Sequence, residues 1–263
     1  MTWIASADHQ EGRFSPNGLG VCRHETPQVD MSANATLTRG SLMLETRMSP
    51  NGKPQVLFGF ERNFPSQRAF SIQAIPGGGV TLVHSDQGDI SHGTLRWRGT
   101  GRADVVRITF SWDISLSWAQ LSIERPEEST LTTIEMEHHI PFYIQDLHDV
   151  MLNQGDRTLS EDAVFVALSN VVEPVGPMPT LTLDTPIATP NGHKYARQLQ
   201  RGDTVISEKN GVVPVLQRIT RTVPALGSFA PIRLRAGVLP SLTSDLLVSP
   251  QHRMLFQGYQ SEL

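Results

Sequence analysis

Two glutamates on one face of a predicted strand are the first residues whose spacing suggests chemistry. Glu135 and Glu137 occupy alternate positions, and alternate side chains of a strand point to the same face. Two carboxylates on one face could act as acid and nucleophile on a glycosidic bond. Retaining glycosidases that use such a strand have the pattern Glu-x-Asp-x-x-Glu, whereas this chain has Glu-Met-Glu-His-His-Ile. We therefore interpret the pair as a solvated strand face.

Three histidines near this pair are candidate metal ligands, because imidazole is the commonest metal-binding side chain. They are His138, His139 and His148. Adjacent histidines in a strand point to opposite faces, so only one of the first two could join a site. Cys22 is the single cysteine, which excludes an intrachain disulfide and a cysteine-based zinc site. We expect no metal and no cofactor, and we interpret the histidine pair as surface residues.

The elements that would position these residues are short strands. Segments rich in β-branched and aromatic residues recur between turn signals at 41–47, 55–60, 69–75, 80–84, 94–98, 105–112 and 119–124. In the last two, apolar and polar residues alternate, as in a half-buried antiparallel strand. The pattern predicts a mainly β protein, with a β-sandwich or jelly roll over residues 1–140.

Two of these strands resemble a known class of domain. Residues 107–113 and 118–124 are similar to adjacent strands of laminin-G and concanavalin-like lectin domains. The resemblance implies binding of a glycan or a protein through the sandwich. It assigns no ligand-binding residue, because the ligand loops of such domains vary.

The sequence changes character after residue 140. Residues 141–152 space their apolar side chains three and four apart, which predicts a short helix with a proline in its first turn. Residues 161–168 fit a helix or a strand equally well. Residues 171–179 contain three prolines and a glycine, which predicts an extended linker. We therefore expect residues 141–179 to connect the sandwich to a second domain at 180–263.

Charge and hydropathy limit the kinds of partner and the location that we expect for this chain. The net charge of −4 argues against nucleic acid as an obligate partner. The chain does not begin with a basic segment followed by an apolar core, so we expect no secretory signal and either a cytoplasmic location or leaderless export. No apolar run approaches the ~20 residues that span a bilayer, so we expect a soluble protein without a membrane span.

Three motifs follow one another in the last third of the chain. Residues 185–192 contain Ile-Ala-Thr-Pro before a glycine, residues 199–205 contain Leu-x-x-Gly-Asp-x-Val, and residues 248–252 read Val-Ser-Pro-Gln-His. Taken singly, they indicate a hairpin turn, a turn before a strand and a strand end with a lone histidine. In this order they resemble the Hedgehog/intein (Hint) superfamily, in its bacterial branch, over about residues 177–263.

The resemblance implies an intramolecular acyl shift. In that family the side chain of the first Hint residue attacks the carbonyl before it. Carried over, Thr180 stands at the nucleophile position, and Pro179–Thr180 is the scissile bond. The resemblance makes His252 the acid that meets the scissile amide nitrogen, and it makes Ser249 the hydroxyl that polarises the carbonyl.

The sequence departs from the family in three places. The family has a nucleophilic cysteine where this chain has Thr180, whose hydroxyl is a poorer nucleophile near neutral pH and whose methyl group crowds the attack. Thr182 is the alternative if the register shifts by two. Ser249 replaces the usual threonine and keeps the hydroxyl. The chain also stops at Leu263, so we expect an incomplete Hint-type all-β domain without two-ended splicing.

Three functions follow from these residues. The first is a degenerate Hint protein that no longer cleaves and acts as a binding or assembly module. The second is single-turnover autoproteolysis at Pro179–Thr180 by an N–O acyl shift. We expect no catalytic activity beyond this self-cleavage. The third is carbohydrate binding by a lectin-like sandwich.

Overall fold

The chain forms two compact units in its computed structural model, which describes residues 3–20, 29–32, 34–48, 53–96, 104–128, 130–137, 139–176, 180–207, 211–238, 242–250 and 252. The first unit comprises Met1–Pro177 together with Thr222–Gly227. The second comprises Met178–Arg221 together with Ser228–Leu263. The segment Thr222–Gly227 therefore belongs to the first unit, although it comes late in the chain.

The first unit consists of β-strands and a short α-helix. In chain order its elements are β1 (Trp3–Ala7), β2 (Gly12–Phe14), β3 (Thr36–Leu37), β4 (Arg39–Met48), β5 (Gln55–Arg62), β6 (Arg68–Ala74), β7 (Val80–Asp86), β8 (Asp89–Leu95), β9 (Asp104–Asp113), β10 (Trp118–Arg125), β11 (Thr130–Met136), β12 (Phe142–Tyr143), α1 (Ile144–Met151), β13 (Arg157–Leu159) and β14 (Ala163–Ser169). Antiparallel pairing gives a seven-stranded sheet in the order β11-β10-β9-β4-β14-β1-β2 and a five-stranded sheet in the order β13-β5-β6-β7-β8.

The two sheets bury one common hydrophobic core, as the sequence predicts for a β-sandwich. Leu44 of β4 and Phe110 of β9 contribute to this core from the seven-stranded sheet. Phe70 and Ile72 of β6 contribute from the five-stranded sheet. Along β6 buried residues alternate with half-buried ones, because successive side chains of a strand point to opposite faces. The predicted fold class, mainly β with a β-sandwich, is confirmed.

The opposite face of the seven-stranded sheet is also buried, and it is polar. Ser41 and Glu45 of β4, Arg107 of β9 and Glu124 of β10 lie on it, and each is buried. They alternate with the core residues of the same strands, so the period of two places them on the outer face. The Oγ atoms of Ser41 and Ser111 lie 2.8 Å apart across the β4–β9 pair. A buried polar face requires both internal partners and a cover.

Residues 141–176, which the sequence analysis placed between two domains, contribute to the first unit. The predicted helix exists as α1 and begins three residues after Pro141, because Phe142 and Tyr143 first pair with β3. The segment left open between helix and strand is β14, which lies between β4 and β1. Residues on both faces of β14 are buried, which accounts for its nearly continuous apolar run.

The chain after β14 covers part of the polar face, although its prolines predict an extended linker. The backbone N–H of Glu173 donates to the Ser41 hydroxyl at 2.8 Å, and the Ser169 hydroxyl donates to the Glu173 carboxylate at 2.8 Å. The N–H of Gly176 donates to Glu124 at 2.9 Å. Prolines exclude regular structure here, but they do not prevent docking through side-chain hydrogen bonds. Residues 177–179 lie outside the described residues.

One predicted strand is displaced in the structure. The prediction at 94–98 corresponds to β8, which begins at Asp89 and ends at Leu95. The reason is a tight turn between β7 and β8 at Gln87 and Gly88, where both residues have positive φ. This turn pairs Asp86 with Asp89 and so begins β8 earlier than its apolar residues suggest.

The second unit contains three short antiparallel pairs. These are β15 (Pro186–Thr189) with β16 (Gly192–Tyr195), β17 (Thr204–Ser207) with β18 (Gly211–Pro214), and β19 (Ile232–Leu234) with β20 (Leu246–Val248). The first pair is the predicted hairpin, in which Thr189 pairs with Gly192 across a two-residue turn. Lys194 of this hairpin contacts Asp203, just before β17, at 2.9 Å. None of the helices described in either unit has the length and apolar character needed to cross a membrane.

Candidate functional site

The first candidate site lies in the second unit, where the structure brings Thr180 next to Ser249. Leu181 and Val248 form an antiparallel bridge, and the backbone N–H of Ser249 donates to the Thr180 carbonyl at 3.2 Å. Facing residues of an antiparallel pair point to the same side. Thr180 and Ser249 therefore project together, on the side opposite Leu181 and the buried Val248.

A turn joins His252 to this pair. The backbone N–H of His252 donates to the Ser249 carbonyl at 3.0 Å, and His252 is half-buried. The sequence spacing Ser-Pro-Gln-His thus corresponds to a turn at the end of β20. Main-chain contacts bring together all three residues that the sequence analysis names. Pro179, which would supply the attacked carbonyl, lies outside the described residues.

The alternative nucleophile, Thr182, has its hydroxyl in hydrogen bonds. Thr182 Oγ1 donates to the carbonyl of Leu247 at 3.3 Å and lies 3.1 Å from Thr185 Oγ1. Thr185 is buried, and its backbone N–H donates to the Thr182 carbonyl at 3.1 Å. Through these hydrogen bonds Thr182 has a structural role, because they join the start of the second unit to β20. Thr180 is exposed instead, and its hydroxyl makes no hydrogen bond to the residues that the structure describes.

The other residues named in the sequence analysis lie in the first unit. Glu135 and Glu137 are exposed, and Glu135 lies on β11 at the edge of its sheet. His139 is half-buried and has a polar partner. His148 on α1 contacts Asp149 at 2.9 Å and packs edge-on against the Phe14 ring. The described residues contain no group of three or more potential metal ligands, and His138 and Cys22 lie outside them.

A second candidate site is a cavity of about 560 Å³ in the first unit, which the sequence analysis does not identify. Its apolar lining comes from Trp3 and Ala5 of β1, from Leu19, and from Pro224 and Leu226 of the late segment. The Trp3 indole N–H donates to the Thr222 carbonyl at 2.8 Å. These groups are 219 residues apart in sequence, so no local pattern could have predicted the cavity.

Charged side chains line the same cavity. They are Asp8, Glu11 and Arg13. Backbone hydrogen bonds from Glu11 and Gln10 lower the pKa of the Asp8 carboxyl. The hydrogen bond from Arg13, at 2.8 Å, lowers the pKa of Glu11. All three groups are therefore ionised at neutral pH, and they give this end of the cavity one net negative charge.

Comparisons with known proteins identify one family over the last third of the chain. Residues 179–263 match the family model described as the Hint domain. No curated protein matches the chain.

Several solved structures are similar to parts of this chain. The carbohydrate-binding domain CBM40 of Ruminococcus gnavus IT-sialidase is 15% identical, over 52% of this chain and 78% of that one, with a TM-score of 0.36. The LG1-3 region of the laminin α2 chain is 9% identical, over 68% and 27%, with a TM-score of 0.32. Scytalido-glutamic peptidase is 6% identical, over 81% and 92%, with a TM-score of 0.25.

Proposed function

Because residues 179–263 form a Hint domain, we propose that this protein keeps the domain without its self-cleaving activity and uses it as a binding or assembly module. One observation supports this most directly. Thr180 stands at the nucleophile position, and its hydroxyl is exposed without a hydrogen-bonding base among the described residues. A hydroxyl without a base is a weak nucleophile near neutral pH.

The hydrogen bonds around Thr180 also argue against cleavage. An acyl shift requires donors that point at the carbonyl of the preceding residue. One backbone donor beside Thr180, the N–H of Ser249, is bound to the carbonyl of Thr180 itself. This contact holds the two strands together, but it leaves that donor unavailable to a developing oxyanion on Pro179.

An assembly role is supported by exposed apolar side chains of the second unit. Ile206 and Val212 face each other across the β17–β18 pair, so they lie on one face. They are 52% and 57% exposed, and Leu216 and Ile219 soon after them are also exposed. Adjacent exposed apolar residues are typical of surfaces that bind other proteins.

The cavity of the first unit supports a binding role that differs from glycan recognition. Trp3 is only 4% exposed, so its ring offers no free face on which a sugar could stack. A volume of about 560 Å³ lies in the range of small-molecule sites. We propose that the cavity accepts an apolar group of a protein partner, which ranks glycan binding below protein binding for this chain.

Self-cleavage is the second candidate function, because two main-chain hydrogen bonds bring Thr180, Ser249 and His252 together. Treatment of the wild type with hydroxylamine distinguishes the two proposals, and the Thr180→Cys variant tests whether the arrangement around residue 180 can still support cleavage. A thiolate is a stronger nucleophile than a threonine hydroxyl, so an intact arrangement predicts that hydroxylamine cleaves the bond after Pro179 in this variant only. The readout is the intact mass of the full chain, 29.0 kDa for the uncleaved wild type.

Thr182→Cys is the matched control, because Thr182 hydrogen-bonds to the carbonyl of Leu247 and does not stand at the scissile bond. We expect this variant to stay uncleaved. Adding His252→Ala to Thr180→Cys should stop the cleavage if His252 is the acid. Cleavage of the wild type itself would replace the main proposal with the second.

A further inference from the structure

The late segment Thr222–Gly227 is the feature of the fold that the Hint domain does not explain. It lies inside the residues that match the Hint model, yet it belongs to the first unit. Contacts near both of its ends join it to the sandwich. At its start, the Thr222 carbonyl accepts the Trp3 indole N–H at 2.8 Å. Because Trp3 is buried, loss of this acceptor would leave a buried donor unpaired.

At its other end the backbone itself packs against the sandwich. A side chain at Gly227 would place its Cβ 2.2 Å from Glu45 Oε1 and 3.0 Å from the Phe165 ring. Glu45 and Phe165 are each 1% exposed, and Glu45 also contacts Arg107 at 3.5 Å. Gly227 has a φ of 51°, in the left-handed region. A side chain at this position would therefore displace the buried Glu45 carboxylate, and glycine avoids this clash.

The two contacts place a cover on the outer face of the seven-stranded sheet. Glu45 and Phe165 lie on that face together with Arg107. Removal of the cover would expose Phe165 and Trp3, and burial of large apolar side chains is a main source of stability. The first unit therefore gains stability from residues that come after the start of the Hint domain.

We propose that Thr222–Gly227 is a docking segment, which keeps residues 180–263 bound to the sandwich when the chain is cut between the two. The association between the two pieces would be non-covalent and would depend on the contacts of Trp3 and Gly227. Cleavage at Pro179–Thr180, by the chain itself or by a protease, would then yield a nicked protein and would not release the sandwich. This holds whether or not Thr180 reacts.

The test uses the full chain with a protease recognition sequence inserted between Gly176 and Thr180. After complete cleavage, the two pieces of the otherwise unchanged protein should leave a gel-filtration column as one species at micromolar concentration. Gly227→Ala should weaken their association at least tenfold. Trp3→Phe keeps an aromatic ring but removes the indole N–H and part of the buried ring system, so it should also weaken association and serves if Gly227→Ala does not fold.

Gly237→Ala is the matched control. Gly237 also has a positive φ, of 81°, but nothing lies within 4 Å of the position that its Cβ would take. This variant should associate like the unchanged protein. Separation of the unchanged nicked protein into two species would overturn the proposal. Equal association of the Gly227→Ala and Gly237→Ala proteins would overturn it as well.

Discussion

Charged side chains lie in opposite environments in the two units. In the first unit Arg107 is fully buried and contacts Glu45 at 3.5 Å and Glu124 at 3.3 Å. In the second, the pair of Lys194 and Asp203 reaches the solvent. Buried charges require every partner to be present, whereas exposed pairs contribute little. The comparison indicates that the first unit depends on buried charge pairs, whereas charge pairs contribute little to the second.

Apolar side chains differ between the two units in the same direction. Phe110 lies in the core of the sandwich, whereas Ile206 and Val212 of the second unit face the solvent. The sandwich thus buries its apolar and polar residues together. The second unit leaves apolar residues available to other surfaces, which agrees with a role in binding more than with a self-sufficient enzyme.

The largest expected effect comes from removal of the buried cation. Arg107→Leu would leave two buried carboxylates, Glu45 and Glu124, without their cation, so we expect the free energy of unfolding to fall by about 3–5 kcal/mol. Chemical denaturation of the full chain, monitored by tryptophan fluorescence, measures this free energy of unfolding. The control is Arg233→Leu, because Arg233 pairs with Asp245 at the surface. If Arg107→Leu lowers the free energy of unfolding no more than this control does, the contrast between the charged residues of the two units is wrong.

An intermediate effect is expected from acid. His84 lies in the sandwich core, stacked on the Phe142 ring at 4.2 Å, and burial lowers its pKa to about 3. Between about pH 6.5 and pH 3, the His84 imidazole is therefore protonated in the unfolded chain and neutral in the folded chain. The stability present above pH 6.5 should decrease by about 1.4 kcal/mol for each pH unit as the pH falls through this window.

The control for the acid effect is His84→Phe, which keeps an aromatic ring beside Phe142 and removes the titrating group. This variant should show a flatter dependence of the free energy of unfolding on pH below about 6.5, the ordinary pKa of histidine. A wild type and variant with parallel pH profiles would show that His84 is not the group responsible.

The smallest effect on stability is expected at the exposed face of the second unit. Ile206→Ser should change the free energy of unfolding by less than about 0.5 kcal/mol, because the side chain is already half in solvent. The same change should reduce the binding of an apolar dye to the folded protein. A large loss of stability would mean that Ile206 is part of a core, and the contrast between the units would be lost.

Local patterns were sufficient to predict much of the sandwich. The alternation at 105–112 and 119–124 corresponds to β9 and β10, and the turn signal at 76–79 follows the end of β6. The hairpin at Asn191 and Gly192 and the match to the Hint domain were also accessible, because they depend on residues close in sequence.

Long-range features were not accessible. The contact of Trp3 with Thr222 and the approach of Gly227 to Glu45 join distant residues that no periodicity relates. For the same reason, the prolines around Glu173 suggested a linker, although this glutamate is buried against the sandwich. The site residues Thr180, Ser249 and His252 were found only through their resemblance to a family, and their reactivity stays a prediction.

The central claim concerns Thr180, and the most direct test is the intact mass of the purified full-length protein before and after hydroxylamine. The exposed hydroxyl and the N–H of Ser249, which is bound to the Thr180 carbonyl, predict a single uncleaved species under both conditions. A fragment ending at Pro179 would contradict this account and would identify Thr180 as a working nucleophile.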